Sequence, residues 1–184
     1  MSDATANETK APRKAGLATV VRALAPWVLV VLGGLWMLAG RSGGRDAMPA
    51  GEPVPALDLV LSDGSAFSLE EERGKPVLLT FWASWCPACR AEAPAIQAAH
   101  ETLQRSGSRA VGLAVDARSI PAARGLGMEF AQGLVSQDDL ARFGVELLPT
   151  TILVDAEGRV AASFVGEVRP EQLDEVIAPL LAAR

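Results

Sequence analysis

The chain opens on a contrast between one long apolar block and a series of short ones. No charged residue lies between Arg22 and Arg41, and residues 23–40 are mostly Ala, Val, Leu, Gly and Trp. As a helix that block would span about 27 Å, close to the ~30 Å hydrocarbon core of a bilayer. Trp27 and Trp36 stand towards its two ends, where interfacial aromatics are favoured. Beyond residue 53 the pattern breaks into short runs with turns between them. Leu57, Leu59 and Leu61, an Asp63-Gly64 turn, then Phe67 and Leu69 predict a hairpin. Residues 77–82, Val-Leu-Leu-Thr-Phe-Trp, predict a strand buried on both faces. Pro87 suits the first turn of a helix. That helix runs to about residue 104 with Ile96, Ala99 and Leu103 on one stripe, and Gly107 ends it.

Residues 110–115 read as a second buried strand, and strand–helix–strand order implies a right-handed parallel crossover. Pro121, Gly125 and Gly127 interrupt an irregular or weakly helical stretch up to Gln132. A short strand at 133–135 and a short helix at 138–143 follow. Residues 150–154 and 160–165 flank a turn at 155–159 and predict an antiparallel hairpin. Pro170 opens a last helix with Leu173, Val176, Ile177 and Leu180 on its apolar face. The class is α/β, a mixed sheet flanked by helices, behind one N-terminal transmembrane helix.

The charges give the apolar block a direction. Lys10, Arg13, Lys14 and Arg22 precede it against only Asp3 and Glu8. The positive-inside rule then keeps residues 1–22 in the cytoplasm and sends the rest across. Residues 23–40 are read as an uncleaved signal anchor in the inner membrane. A cleaved signal peptide is the rival, with a small-residue site at Ala47-Met48-Pro49-Ala50. Residues 41–53, rich in Gly, Ala and Pro, read as a flexible tether, and 54–184 as one folded domain. A net charge of −5 argues against nucleic acid.

Only two cysteines occur, in Trp85-Cys86-Pro87-Ala88-Cys89. A Cys-x-x-Cys pair at a strand-to-helix junction reads as a redox centre. Cys86 falls at the helix start, where unpaired N–H groups and the dipole favour negative charge. A dipole contribution of up to about 2 kcal/mol could lower a thiol from about 8.5 to about 7. Cys86 is therefore the expected nucleophile, and Cys89, one turn deeper on the same side, the resolving thiol. A purely structural disulfide is weakly supported, because closing so short a loop removes only about 2 kcal/mol of unfolded-state entropy. A zinc site would need more ligands than two cysteines and the distant His100. No metal and no cofactor are expected.

Phe81-Trp82-Ala83-Ser84-Trp85-Cys86-Pro87-Ala88-Cys89, followed by Arg90 to Pro94, resembles the membrane-anchored thioredoxin-like proteins of bacteria, the TlpA/ResA type. Leu148-Pro149-Thr150, then Asp155, Gly158 and Gly166, is similar to the second half of that family, so the resemblance covers nearly all of 54–184. It implies a thioredoxin fold with an N-terminal β-hairpin extension. It implies a cis-proline at Pro149 facing the disulfide, with Leu148 offering backbone hydrogen bonds to an extended substrate. Trp85 and Pro87 would border the same substrate site. Glu92 matches an acidic residue proposed to move protons at Cys89. Ordinary thioredoxins carry a buried aspartate two residues before the strand tryptophan, where this chain has Thr80. His100 is expected on the surface.

The implied activity is thiol–disulfide exchange with a protein substrate in the periplasm or another extracytoplasmic space. The direction is reductive, as in cytochrome c maturation or similar thiol repair, with electrons from a membrane thiol transporter. Disulfide isomerase or oxidase duty, copper handling and thiol peroxidase activity are the alternatives.

Overall fold

The computed structural model describes residues 47–183. The expected anchor at 23–40 lies outside them. No helix among the described residues is long and apolar enough to cross a membrane.

Two strands form a small hairpin, β1 (Asp58–Val60) and β2 (Ala66–Ser68). The main sheet holds β3 (Val77–Trp82), β4 (Arg109–Ala114), β5 (Gln132–Leu134), β6 (Thr150–Val154) and β7 (Val160–Val165), in the order β5-β4-β3-β6-β7. β3 is central. It runs parallel to β4 and antiparallel to β6, with Leu78 opposite both Ala110 and Leu153. Every residue of β3 is buried, as its unbroken apolar run requires.

Alternation along the strands divides the core into two layers. Leu78 and Trp82 on β3 share one face with Ala110, Ala114 and Leu153. Against them pack α1 (Pro87–Gln104) and α4 (Pro170–Ala182), through Cys89, Ala93, Ile96, Ala99 and Leu103 on the first and Leu173 and Ile177 on the second. Val77, Leu79 and Phe81 point the other way, with Val111, Leu113 and Ile152. That face is covered by Leu57, Leu61, Phe67 and Leu69 of the hairpin region and by Phe143, which ends α3 (Gln137–Arg142). Ser136 caps α3, its hydroxyl accepting from the Asp139 N–H while the Asp139 carboxylate accepts from the Ser136 N–H. Between β4 and β5 the chain makes only α2 (Ser119–Ala122) and a 3₁₀ turn, Arg124–Leu126, in keeping with its prolines and glycines.

Two expectations need correction. The stretch before Val54 is not free tether throughout. Residues 48–54 lie along β7, with Gly51 N–H donating to Val160 O (2.8 Å), Val160 N–H to Glu52 O (2.9 Å) and Val54 N–H to Gly158 O (3.1 Å). Ser163 Oγ donates to Met48 O at 2.9 Å. The reason is physical: β7 is an edge strand with unpaired backbone groups, and this strap satisfies them. Just before the strap the chain passes Gly144, whose positive φ and lack of a side chain leave room for the Ala47 carbonyl.

The second correction is His100. It is buried, 9% exposed, and its Nδ1 accepts from the Ala110 N–H at 3.2 Å. Its ring rests against Phe130, centroids 5.3 Å apart. The residue lies on the inner face of α1, four positions after Ile96, so the helical period that buries Ile96 buries it too. Burial holds its pKa below the ordinary value.

Candidate redox active site

β3 delivers the chain to the site. After Trp82 a tight turn brings the Cys86 N–H to Ala83 O (3.2 Å), and α1 begins at once. Cys86 is the N-cap, extended at φ −83° and ψ 114°, and Pro87 occupies the first turn, where its missing N–H costs nothing. The Cys89 N–H aims back at Cys86 Sγ, 3.2 Å away. Cys86 and Cys89 are joined in a disulfide with Cα atoms 5.3 Å apart. Cys86 is 5% exposed and Cys89 2%, so both are buried in the closed disulfide, Cys86 at the cap of α1 and Cys89 inside its first turn. Reduction would leave Cys86 Sγ under a backbone N–H and the helix terminus, the groups that stabilise a thiolate.

β6 supplies the opposite wall. Phe81 near the end of β3 pairs with Thr150 at the start of antiparallel β6. The turn into the cysteines and the segment before Thr150 therefore emerge from neighbouring strands at one end of the sheet. The Leu148–Pro149 peptide bond there is cis. Gly166 N–H donates to Pro149 O at 2.8 Å, and Thr150 Oγ1 donates to Leu147 O at 2.7 Å. The backbone of Leu148 has no hydrogen-bond partner among the described residues. Leu147 is exposed and Leu148 half-buried.

Glu92 lies one helical turn beyond Cys89 on the inner face of α1, only 3% exposed. Val168 N–H donates to its Oε2 at 3.1 Å, and Thr80 Oγ1 lies 3.4 Å from its Oε1. Thr151 Oγ1 in turn donates to Thr80 Oγ1 at 3.2 Å. Burial pushes the Glu92 carboxyl up to about 7; the two hydrogen bonds pull it down, and Glu167 nearby adds to the rise. Thr80, standing where ordinary thioredoxins have an aspartate, thus becomes a hydrogen-bond donor to a carboxylate carried by the helix instead. A carboxyl near 7 exchanges protons readily at neutral pH.

Trp85 stands beside Cys86 and is 67% exposed. Its Nε1–H donates to Asp116 Oδ2 at 3.0 Å. Neither Asp116 nor Ser119, whose hydroxyl lies between Asp116 and Ser84, is marked by any motif in the sequence. A separation of 31 residues left no local signal. Below the site, Trp82 Nε1–H donates to Gln132 Oε1 at 2.9 Å. Gln132 reaches it across Gly112, where any side chain would collide with the amide.

Residues 49–177 match the Redoxin family. The chain is 27% identical over 154 residues to the thiol-disulfide oxidoreductase ResA of Bacillus thuringiensis, covering 80% of this chain and 89% of that protein. It is 32% identical over 159 residues to the thiol:disulfide interchange protein DsbE of Escherichia coli, covering 79% and 84%. Among solved structures, the thioredoxin domain of a thiol-disulfide oxidoreductase from Bacteroides vulgatus superposes with a TM-score of 0.65 at 26% identity, over 73% of this chain and 99% of that one. The chain belongs to the redoxin family, as a thiol-disulfide oxidoreductase with the thioredoxin fold and ResA and DsbE among its relatives.

Proposed function

We propose that this protein is an extracytoplasmic reductant of protein disulfides, held to the inner membrane by residues 23–40. The observation that carries the reading is the placement of Cys86. It caps α1, one turn ahead of Cys89, with the unpaired backbone of Leu148 at the same end of the sheet.

In the reduced protein Cys86 thiolate attacks one sulfur of a client disulfide. A mixed disulfide forms and one client thiolate leaves. Cys89 then attacks Cys86 Sγ, the second client thiolate leaves, and the Cys86–Cys89 disulfide closes. Two electrons pass to the client, and its two thiolates take up two protons. Glu92 accepts the proton that Cys89 must shed to attack. Leu148 pairs with an extended client segment, Pro149 shapes that edge, and Trp85 and Pro87 border it. A membrane thiol-electron transporter returns two electrons to the disulfide.

The resemblance of the cysteine and Leu148-Pro149 segments to the TlpA/ResA type supports the reductive direction, with cytochrome c maturation or similar thiol repair as the setting. The apolar block and its flanking charges support the location, as do two cysteines that pair with each other and leave none to mispair in an oxidising space. Equilibration of Cys86–Cys89 with glutathione buffers tests the direction. A potential below about −200 mV is the expected result, and a value near about −120 mV would mark an oxidant instead.

A further inference from the structure

Asp116 gathers more hydrogen bonds than any role considered so far requires. Its Oδ1 accepts from the backbone N–H groups of Arg118 (3.0 Å) and Ser119 (3.1 Å). Its Oδ2 accepts from Ser119 Oγ (2.8 Å) and from the Trp85 indole (3.0 Å). Ser119 is fully buried, and its Oγ also accepts from the Ser84 N–H at 2.8 Å. One knot at the end of β4 thus holds the backbone of Ser84 and the side chain of Trp85, the two residues before the nucleophile. A tryptophan two-thirds exposed would otherwise sample several rotamers, and an indole loses affinity for a partner in proportion to that freedom.

From this geometry we propose that Asp116 is a positioning residue for client recognition: it holds the Trp85 indole as a fixed wall beside Cys86, while Ser119 locks Asp116 in place. The inference rests on the reading that Trp85 borders the client site. Burial works to raise the Asp116 carboxyl, but the hydrogen bonds from Ser119, Trp85 and Arg118 outweigh it and hold the carboxyl below its ordinary value. The acceptor therefore stays charged throughout the neutral range.

Asp116→Asn tests this without removing bulk. The amide oxygen keeps the turn at Arg118 and Ser119, and the amide NH₂ then faces the indole N–H, donor against donor. The full-length protein in detergent is assayed with dithiothreitol as the electron donor, insulin as the protein disulfide and hydroxyethyl disulfide as the small one. KM for insulin should rise about fivefold, about 1 kcal/mol, with kcat and the small-disulfide rate unchanged. Trp85→Phe, which keeps a ring and deletes the N–H, should raise the insulin KM by a similar factor, and the double variant should raise it no further than either. The indole N–H resonance of Trp85, identified by its loss in Trp85→Phe, should shift in Asp116→Asn.

A shifted resonance with unchanged insulin KM would overturn the positioning role while leaving Trp85 its place in the site. Equal slowing of insulin and the small disulfide would overturn it too, since the effect would then lie on Cys86. If Trp85→Phe leaves insulin kinetics unchanged, the docking role of Trp85 falls and the inference falls with it.

Discussion

Replacing Glu92 by Gln should make the oxidised domain more stable at pH 8 and remove a pH dependence that the parent shows. Glu92 is 3% exposed and, among the described residues, accepts only from Val168 N–H and the Thr80 hydroxyl. These bonds do not repay the loss of water around a carboxylate, and its pKa rises from 4.5 to about 7. At about 1.4 kcal/mol per pH unit, the rise corresponds to about 3 kcal/mol. Because the folded carboxyl holds its proton more tightly than the unfolded one, its contribution favours the fold fully below pH 4.5. That contribution falls as pH climbs through the window to about 7 and is absent above it. Gln reproduces the protonated shape: its carbonyl accepts from Val168, and its NH₂ faces Thr80 Oγ1.

Denaturant unfolding of oxidised protein from residue 47 onward, at half-unit steps from pH 4.5 to 8.5, measures this directly. The stability difference between Glu92→Gln and parent should grow with pH across the window and level off near 3 kcal/mol, to within about a factor of two. Taking the difference cancels the other titrating groups. Parallel curves for the two proteins would refute the claim that Glu92 is desolvated. Glu92→Gln should also slow resolution of the mixed disulfide by about 10²-fold at pH 7, read by quenched-flow trapping, if the carboxylate takes the Cys89 proton.

His100 titrates in the opposite sense. Burial lowers its pKa, so neutral His100 supports the fold above pH 6.5, and that support is lost as pH falls below 6.5 towards the folded value. His100→Asn, whose carbonyl can replace Nδ1 as acceptor for Ala110 N–H, should flatten the acid limb of the stability curve; an unchanged limb would place the acid sensitivity elsewhere. Gly112→Ala should cost about 2–4 kcal/mol in denaturant unfolding, because the new methyl meets the Gln132 amide and displaces it from the Trp82 indole. A loss under about 0.5 kcal/mol would show that Gln132 moves aside freely.

What was legible in the sequence follows the range of the forces involved. The unbroken apolar run of β3, the 3.6-residue stripe of α1 and the turn at residues 155–159 are local patterns, and each element appears where its pattern lies. The two cysteines were legible for the same reason, since their chemistry depends on one turn of helix. Glu92 and His100 were harder. A charged or polar residue on a helix ordinarily faces water, and only the packing of α1 on β4 and on the chain near Val168 buries these two. The strap at 48–54 carries no periodicity, because it pairs irregularly with an edge strand more than a hundred residues on. Asp116 escaped notice because its partners Trp85 and Ser84 meet it only once β3 and β4 lie side by side.

That Cys86 attacks and Cys89 resolves is tested most directly by trapping. Reduced full-length Cys89→Ser and Cys86→Ser are each mixed with a disulfide-bonded protein client, quenched with acid and alkylated, and the adducts mapped by mass spectrometry. Cys89→Ser should accumulate a stable mixed disulfide through Cys86, and Cys86→Ser should give none, its remaining thiol lying inside the first turn of α1 rather than at its cap. An adduct through Cys89 in Cys86→Ser, with none through Cys86 in the other variant, would contradict the assignment.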